Sequence, residues 1–158
     1  MAIDSMEDVR ASHEGELRAM LLRDRVAVTL GLQLVVDEPG HAVITMVVRD
    51  DMLNGFDVMH GGLIFSLADT AFAVACNEDE QVTLAAGAEI SFLRPVRIGQ
   101  QLTATAVRRT RTGRSGIYDV QVVDEAGHVV AEFRGRSRTT RLPAPAPGNS
   151  DGADRGTP

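Results

Sequence analysis

Residues 53–77 read LNGFDVMHGGLIFSLADTAFAVACN, and the reading of this stretch decides the fold. A glycine pair, Gly61 and Gly62, opens a run in which Leu63, Ile64, Phe65, Leu67, Ala68, Ala71, Phe72, Val74 and Ala75 cover most of a helical circumference. The spacing predicts a helix from Gly61 or Gly62 to Cys76 with no polar outer face of any width, so it must be buried nearly all round. One carboxylate, Asp69, stands in the middle of it. A charge costs several kcal/mol to bury unless it is paired or hydrogen-bonded, so Asp69 needs either a partner or a chemical role.

Upstream of the helix, Val26, Val28, Leu30, Leu32, Leu34 and Val36 share one parity, the pattern of a half-buried strand. The turn EPGH follows, and the β-branched residues from Ala42 to Val48 read as the returning strand of a hairpin. Asn54-Gly55 is a turn signal. Downstream, four more strands are expected at about 82–93, 101–110, 115–124 and 128–140, separated by RPVRIGQ, RTGR and DEAGH, short Gly-containing links that suit antiparallel connections. Residues 1–25 mix charge with Leu17, Met20, Leu21 and Leu22 and read as a short N-terminal helical extension. Residues 142–158 hold four of the six prolines and read as a disordered tail, which leaves 26–141 as the folded domain.

Composition excludes several classes of function. The chain has 158 residues, enough for one domain with a single core, and a net charge of −6, which disfavours general binding to a phosphate backbone. No nucleic acid partner is therefore expected. The longest apolar run is short for a bilayer span and carries Asp69, so no membrane partner is expected either. The N-terminus lacks a basic region followed by an apolar run, and the one cysteine, Cys76, cannot form an internal disulfide; both suit a cytoplasmic protein. His13, His41, His60 and His128 are scattered without ligand spacing, so no metal is expected.

Two strands, a buried helix and four further strands have one economical α+β solution: an antiparallel sheet of about six strands curled around the helix, the hot-dog fold. One sheet cannot cover the whole helix, and the uncovered flank is a candidate dimer surface.

The run NGFDVMHGGLIFSLADTAFAVACN closely resembles the phenylacetic-acid-degradation thioesterases of the hot-dog superfamily, a family of acyl-CoA hydrolases. The likeness extends through ISFLRP at 90–95, GIYDVQVVD at 116–124 and VVAEFRGRSR at 129–138, and so covers roughly residues 26–141. One departure is Phe56, where relatives often carry His. The resemblance implies hydrolysis of an aromatic acyl-CoA such as phenylacetyl-CoA or a ring-hydroxylated form. It implies no cofactor beyond the coenzyme A of the substrate, and a homodimer with shared sites assembled as a tetramer.

Each motif residue also has a reading of its own. Asp69 is either a buried carboxylate capped by Ser66 or the backbone, or the group that acts on the thioester as general base or nucleophile. Gly61 and Gly62 either let the chain turn into the helix or present amides to the negative charge that grows on the thioester carbonyl. His60 is an orienting residue or a hydrogen-bond donor. Asn54 either shapes its turn or, as the resemblance implies, positions the attacking water. Gly62 and Thr70 are expected beside the substrate, and Arg94, Arg111 and Arg114, with Arg97, are candidates for the coenzyme A phosphates, although surface arginines in turns are commonly only solvated.

The helix also limits how a site is built. Gly61 and Asp69 are eight residues apart, roughly 12 Å along the axis, too far for both to address one thioester, so two chains are needed. Two other activities compete with hydrolysis. A hot-dog hydratase or dehydratase resembles a different layout, with an Asp followed five residues later by His or a His loop paired with a helical Glu. A non-catalytic acyl-CoA sensor would want an output module, and residues 1–25 are too short and acidic for a DNA reader.

Overall fold

The computed structural model describes residues 23–144. Nearly all of the expected N-terminal helical extension, and the expected tail beyond residue 144, lie outside these residues. Within them stand α1 (Arg25–Leu30), β1 (Gln33–Glu38), β2 (His41–Val47), a 3-10 turn (Asp50–Met52), α2 (Gly61–Cys76), β3 (Gln81–Phe92), β4 (Gln101–Thr112), β5 (Ser115–Val123) and β6 (Val129–Pro143). The sheet has six antiparallel strands in the order β1-β2-β4-β5-β6-β3.

The alternation from Val26 to Leu32 does not form a strand. Asp24 accepts hydrogen bonds from the amides of Val26 and Ala27, and Gly31 closes the segment in the left-handed conformation at φ 68°. These two caps enclose a six-residue helix, α1, which buries Ala27 and Leu30 and leaves Val26 and Val28 exposed. Cap chemistry at both ends thus overrides an apolar alternation that continues only weakly into β1. At the other end of the chain, β6 runs to Pro143, past the boundary expected at residue 141.

The sheet wraps α2 through small side chains. Ala42, Ala104, Ala106 and Ala131 are fully buried beneath the helix, which lets Leu67, Phe72 and Val74 approach the strands closely. Phe72 meets Tyr118 and Phe133 with ring centroids 5.5 and 5.8 Å apart. Burial of an aromatic side chain of this size contributes about 2–3 kcal/mol, and the tilted ring contacts add to it.

One flank of α2 stays half-exposed. Leu63, Ser66, Asp69 and Ala73, spaced by three and four residues, form the stripe that the sheet does not cover. At the sheet's edge, β3 pairs with β6 alone among the described residues, along twelve residues in which Leu84 and Phe92 are exposed.

Candidate active site

The segment leading into α2 is fixed from both sides. The Met59 amide donates to the Val96 carbonyl at 2.8 Å, and the His60 amide donates to the Met52 carbonyl at 2.9 Å. His60 then caps the helix: its Nδ1 accepts the Gly62 amide at 2.9 Å, and its carbonyl accepts the Leu63 amide. An accepting Nδ1 puts the ring proton of neutral His60 on Nε2. These bonds separate the two glycines. The Gly62 amide is satisfied, whereas the Gly61 amide has no partner among the described residues. A side chain at Gly61 would sit 3.1 Å from the Phe92 ring, so Phe92 closes over this end of the helix. Phe92 was visible beforehand only as part of the ISFLRP motif.

Asp69 lies on the uncovered stripe of α2 and finds no hydrogen-bond partner among the described residues. The hydroxyls that could have capped it are committed elsewhere: Ser66 Oγ donates to the Gly62 carbonyl at 2.9 Å, and Thr70 Oγ1 donates to the Ser66 carbonyl at 2.8 Å. Burial pushes the Asp69 carboxyl above the usual aspartate range, and the negative charge of Asp24 pushes it the same way. Asp24 was missed in the sequence, where it falls at the end of the N-terminal extension; the signal that could have found it is its spacing from Gly31 as a pair of helix caps. Thr70 is buried and bonded within its own helix.

Asn54 organises a turn. Its Oδ1 accepts the Phe56 amide at 2.8 Å and the Val58 amide at 3.5 Å, while its own amide donates to the Val58 carbonyl. The side-chain NH2 keeps its hydrogens for another acceptor. Phe56, at the tip of this turn, is 86% exposed.

The candidate phosphate-binding arginines separate into two groups. Arg111 is held by carboxylates: it bonds Glu78 at 3.0 Å and also Asp79, and Glu78 in turn accepts Arg108 at 2.6 Å and the Tyr118 hydroxyl at 3.2 Å. The Glu78 side chain is only 4% exposed, so this cluster joins the C-terminal end of α2 to β4 and β5. Arg111, expected as a candidate for the coenzyme A phosphates, is thus ion-paired to Glu78 and Asp79 at this end of the helix. Arg94, Arg97 and Arg114 have no carboxylate partner among the described residues. No three His, Cys, Asp or Glu residues converge as metal ligands among them either.

Chemically, α2 offers a donor amide at its first residue and, two turns on, an unpartnered carboxylate on the flank that the sheet leaves open. A profile of the Thioesterase superfamily matches residues 56–131. The chain is 45% identical over 119 residues to the acyl-coenzyme A thioesterase PaaI of Escherichia coli strain K12, covering 75% of this chain and 85% of that protein. The solved structure of the E. coli PaaI protein from the phenylacetic acid degradation operon superposes with a TM-score of 0.80 at 41% identity, covering 83% of this chain and 95% of that one. A variant of the phenylacetic acid degradation protein PaaI from Thermus thermophilus superposes with a TM-score of 0.71 at 35% identity, covering 74% and 100%. A hot-dog sheet around a glycine-led helix, together with this extent of identity, places the chain in one family: it belongs to the thioesterase superfamily.

Proposed function

We propose that the chain hydrolyses the thioester of an aromatic acyl-CoA, phenylacetyl-CoA or a ring-hydroxylated form, to the free acid and coenzyme A. The observation that carries this reading is that α2 holds, among the described residues, both an unpartnered Asp69 carboxylate on its open flank and an unpartnered Gly61 amide at its first residue. The substrate class is supported by the names of its relatives in E. coli and T. thermophilus. The Gly61 amide polarises the carbonyl as charge develops on its oxygen. Asp69 either draws a proton from water or attacks the carbonyl carbon itself. The Asn54 NH2 orients the water, while its Oδ1 keeps the turn in shape.

Both groups sit about 12 Å apart along one helix and about 80° apart around it, so each site takes Gly61 from one protomer and Asp69 from its partner. The uncovered stripe of α2 and the long open edge of β3 support such a pairing. An exposed edge strand of this length invites a second strand, and two β3 edges related by a two-fold axis satisfy each other. Two such dimers form the tetramer. Arg94, Arg97 and Arg114 are exposed cations available to the coenzyme A phosphates. Buried Cys76, whose thiol burial pushes up to about 12, stays reduced and inert, in keeping with a cytoplasmic enzyme.

The test is thiol release over a panel of acyl-CoAs, with wild type and Asp69→Asn in parallel. Turnover greatest for phenylacetyl and hydroxyphenylacetyl thioesters, and reduced at least about 100-fold in the variant, supports the reading. Near-normal turnover by a folded Asp69→Asn protein overturns it.

A further inference from the structure

The aromatic rings of this fold divide by what they touch. Phe65, Phe72, Tyr118 and Phe133 pack against one another between α2 and the sheet, with ring centroids 5.3, 5.5 and 5.8 Å apart. Phe92 takes part in none of these contacts among the described residues, and it is 53% exposed. It stands nevertheless on the helix side of the sheet. Ala88 and Ile90 of β3 pack against the core, and alternation puts Phe92, the last residue of the strand, on the same face. Its register partner on β6 is Ala131, which is fully buried beneath the helix.

What Phe92 does touch is the start of α2. A Cβ built on Gly61 would meet the ring's Cζ at 3.1 Å and its Cε1 and Cε2 at 3.4 Å, so the far end of the ring rests against the bare first residue of the helix. The backbone on both sides of this contact is tied down. The Leu93 amide donates to the Val130 carbonyl at 2.8 Å, which holds the end of β3 to β6, and the Met59 amide donates to the Val96 carbonyl at 2.8 Å, which holds the entry to α2 against the same connection. In a helix the Cα–Cβ bonds and the N–H groups both tilt toward the N-terminus, so the place the ring tip fills adjoins the place of an acceptor on the Gly61 amide. A hydrogen-bonded oxygen lies ~2.9 Å from its amide nitrogen, and a carbonyl held there has the Phe92 ring as its neighbour.

A carbonyl bound in this way carries two substituents. The sulfur leads to the pantetheine arm, whose amides need hydrogen-bond partners that a phenyl ring does not supply. The acyl group has no such need, and an aromatic one gains an offset or edge-to-face contact that an alkyl chain does not make. We infer that Phe92 is a specificity-determining residue that reads the acyl group, its ring forming the wall against which an aromatic acyl substituent packs while the carbonyl oxygen is held by the Gly61 amide of the same protomer. The inference rests on the proposed thioester hydrolysis and names the side chain of that site that selects the substrate.

The experiment compares kcat/KM for phenylacetyl-CoA with that for hexanoyl-CoA in wild type, Phe92→Leu and Phe92→Tyr. Leucine keeps an apolar wall without a ring, and tyrosine keeps the ring. Phe92→Leu should lower the ratio of phenylacetyl to hexanoyl turnover at least about threefold, while Phe92→Tyr stays near the wild-type ratio. Phe92→Met serves if the leucine variant does not fold. A ratio unchanged in Phe92→Leu, including equal losses for both substrates, overturns the inference, because a merely structural role lowers both alike. Calorimetric titration with the ketone analogues of the two substrates, in which a methylene group separates sulfur from the carbonyl, reads the same discrimination without turnover. A wild type that hydrolyses neither thioester ends the proposed function, and Phe92 is then judged on affinity alone. Loss of at least about threefold more affinity for the phenyl analogue than for the alkyl one in Phe92→Leu sustains its role. Equal losses, or no binding of either analogue by wild type, overturn it.

Discussion

If each catalytic site draws Gly61 from one protomer and Asp69 from the other, two inactive variants should rescue each other when mixed. The perturbations are Asp69→Asn, which removes the carboxylate, and Gly61→Pro, which removes the amide hydrogen. Proline is sterically suited to the position. Gly61 is the first residue of α2, where the amide makes no bond within the helix, and the preceding His60 already has the extended backbone, φ −63° and ψ 128°, that a following proline requires. The nearest neighbour of an ideal Cβ there is the Phe92 ring at 3.1 Å, and Phe92 is a 53% exposed side chain. Gly61→Ala makes the same contact but keeps the N–H, so it separates crowding from loss of the donor and should retain most activity.

The magnitude follows from symmetry. A two-fold axis that sets the helices antiparallel gives two sites per dimer, each with one Gly61 and one Asp69 from different chains. In a mixed dimer both lesions fall in one site and the other is intact. Random pairing of equal amounts makes about half the dimers mixed, so co-refolding should recover about one quarter of wild-type activity. The assay is thiol release from phenylacetyl-CoA after co-refolding, with heterodimer content verified by differently tagged chains. Verified heterodimers that stay inactive, while both homodimers fold and Gly61→Ala works, refute the shared site.

Other perturbations test single links. Because the Asp69 carboxyl is raised in the folded chain by burial and by Asp24, its ionisation weakens the fold. That stability is present in full below the ordinary aspartate pKa of about 3.9 and is lost as pH rises through the higher folded value, so Asp69→Asn should melt above wild type at pH 7, with the gap closing in acid. An Asp69→Asn protein that melts below wild type at pH 7 would mean that Asp69 has a stabilising partner. The acid limb of kcat/KM should likewise lie above the ordinary aspartate range and move down in Asp24→Asn; an unmoved limb would detach Asp24 from the site. Asn54→Asp keeps the Oδ1 acceptor that holds the Phe56 amide but loses the NH2, so it should melt like wild type and turn over at least about tenfold more slowly. Unchanged turnover would leave Asn54 with its turn alone. Arg111→Ala should lower stability by about 1–3 kcal/mol in urea titration, because buried Glu78 loses one of its charged partners, while the KM for acyl-CoA stays near wild type. A large rise in KM without loss of stability would restore Arg111 to the substrate.

What could be read in advance divides along the range of the interactions involved. The helix from Gly61 to Cys76, the strands after it and the exceptional position of Asp69 depend on periodicity and on residues within a few turns of one another, and sequence displays these directly. Even local signals compete, however. Between Val26 and Leu32 alternation argued for a strand, while two caps seven residues apart, Asp24 and Gly31, made a helix. Asn54 holds its turn through Oδ1, and its NH2 is bonded to no acceptor among the described residues, a division of one amide group that sequence alone does not display. Arg111 shows the limit more sharply. Its partners Glu78 and Asp79 precede it by 33 and 32 residues, and only the curl of the sheet brings the end of α2 against β4. No spacing rule connects them.

The state of Asp69 required the three-dimensional packing for the same reason. In sequence Ser66, one turn earlier, is placed to cap it, and a capped aspartate would be an ordinary buried group. In the fold the Ser66 and Thr70 hydroxyls each turn back to a carbonyl of their own helix, four residues earlier. That choice leaves neither hydroxyl bonded to Asp69, and the half-burial of the stripe removes much of the water. Asp24 adds a like charge in place of a partner. All three effects act in one direction, toward a carboxylate that holds its proton more tightly than a solvated one and is therefore a stronger base once it is ionised. A group arranged for stability would have kept at least one of those donors. Its environment is intelligible as the preparation of a base, and in the proposed dimer a second chain would bring the amide of its Gly61 to the same site.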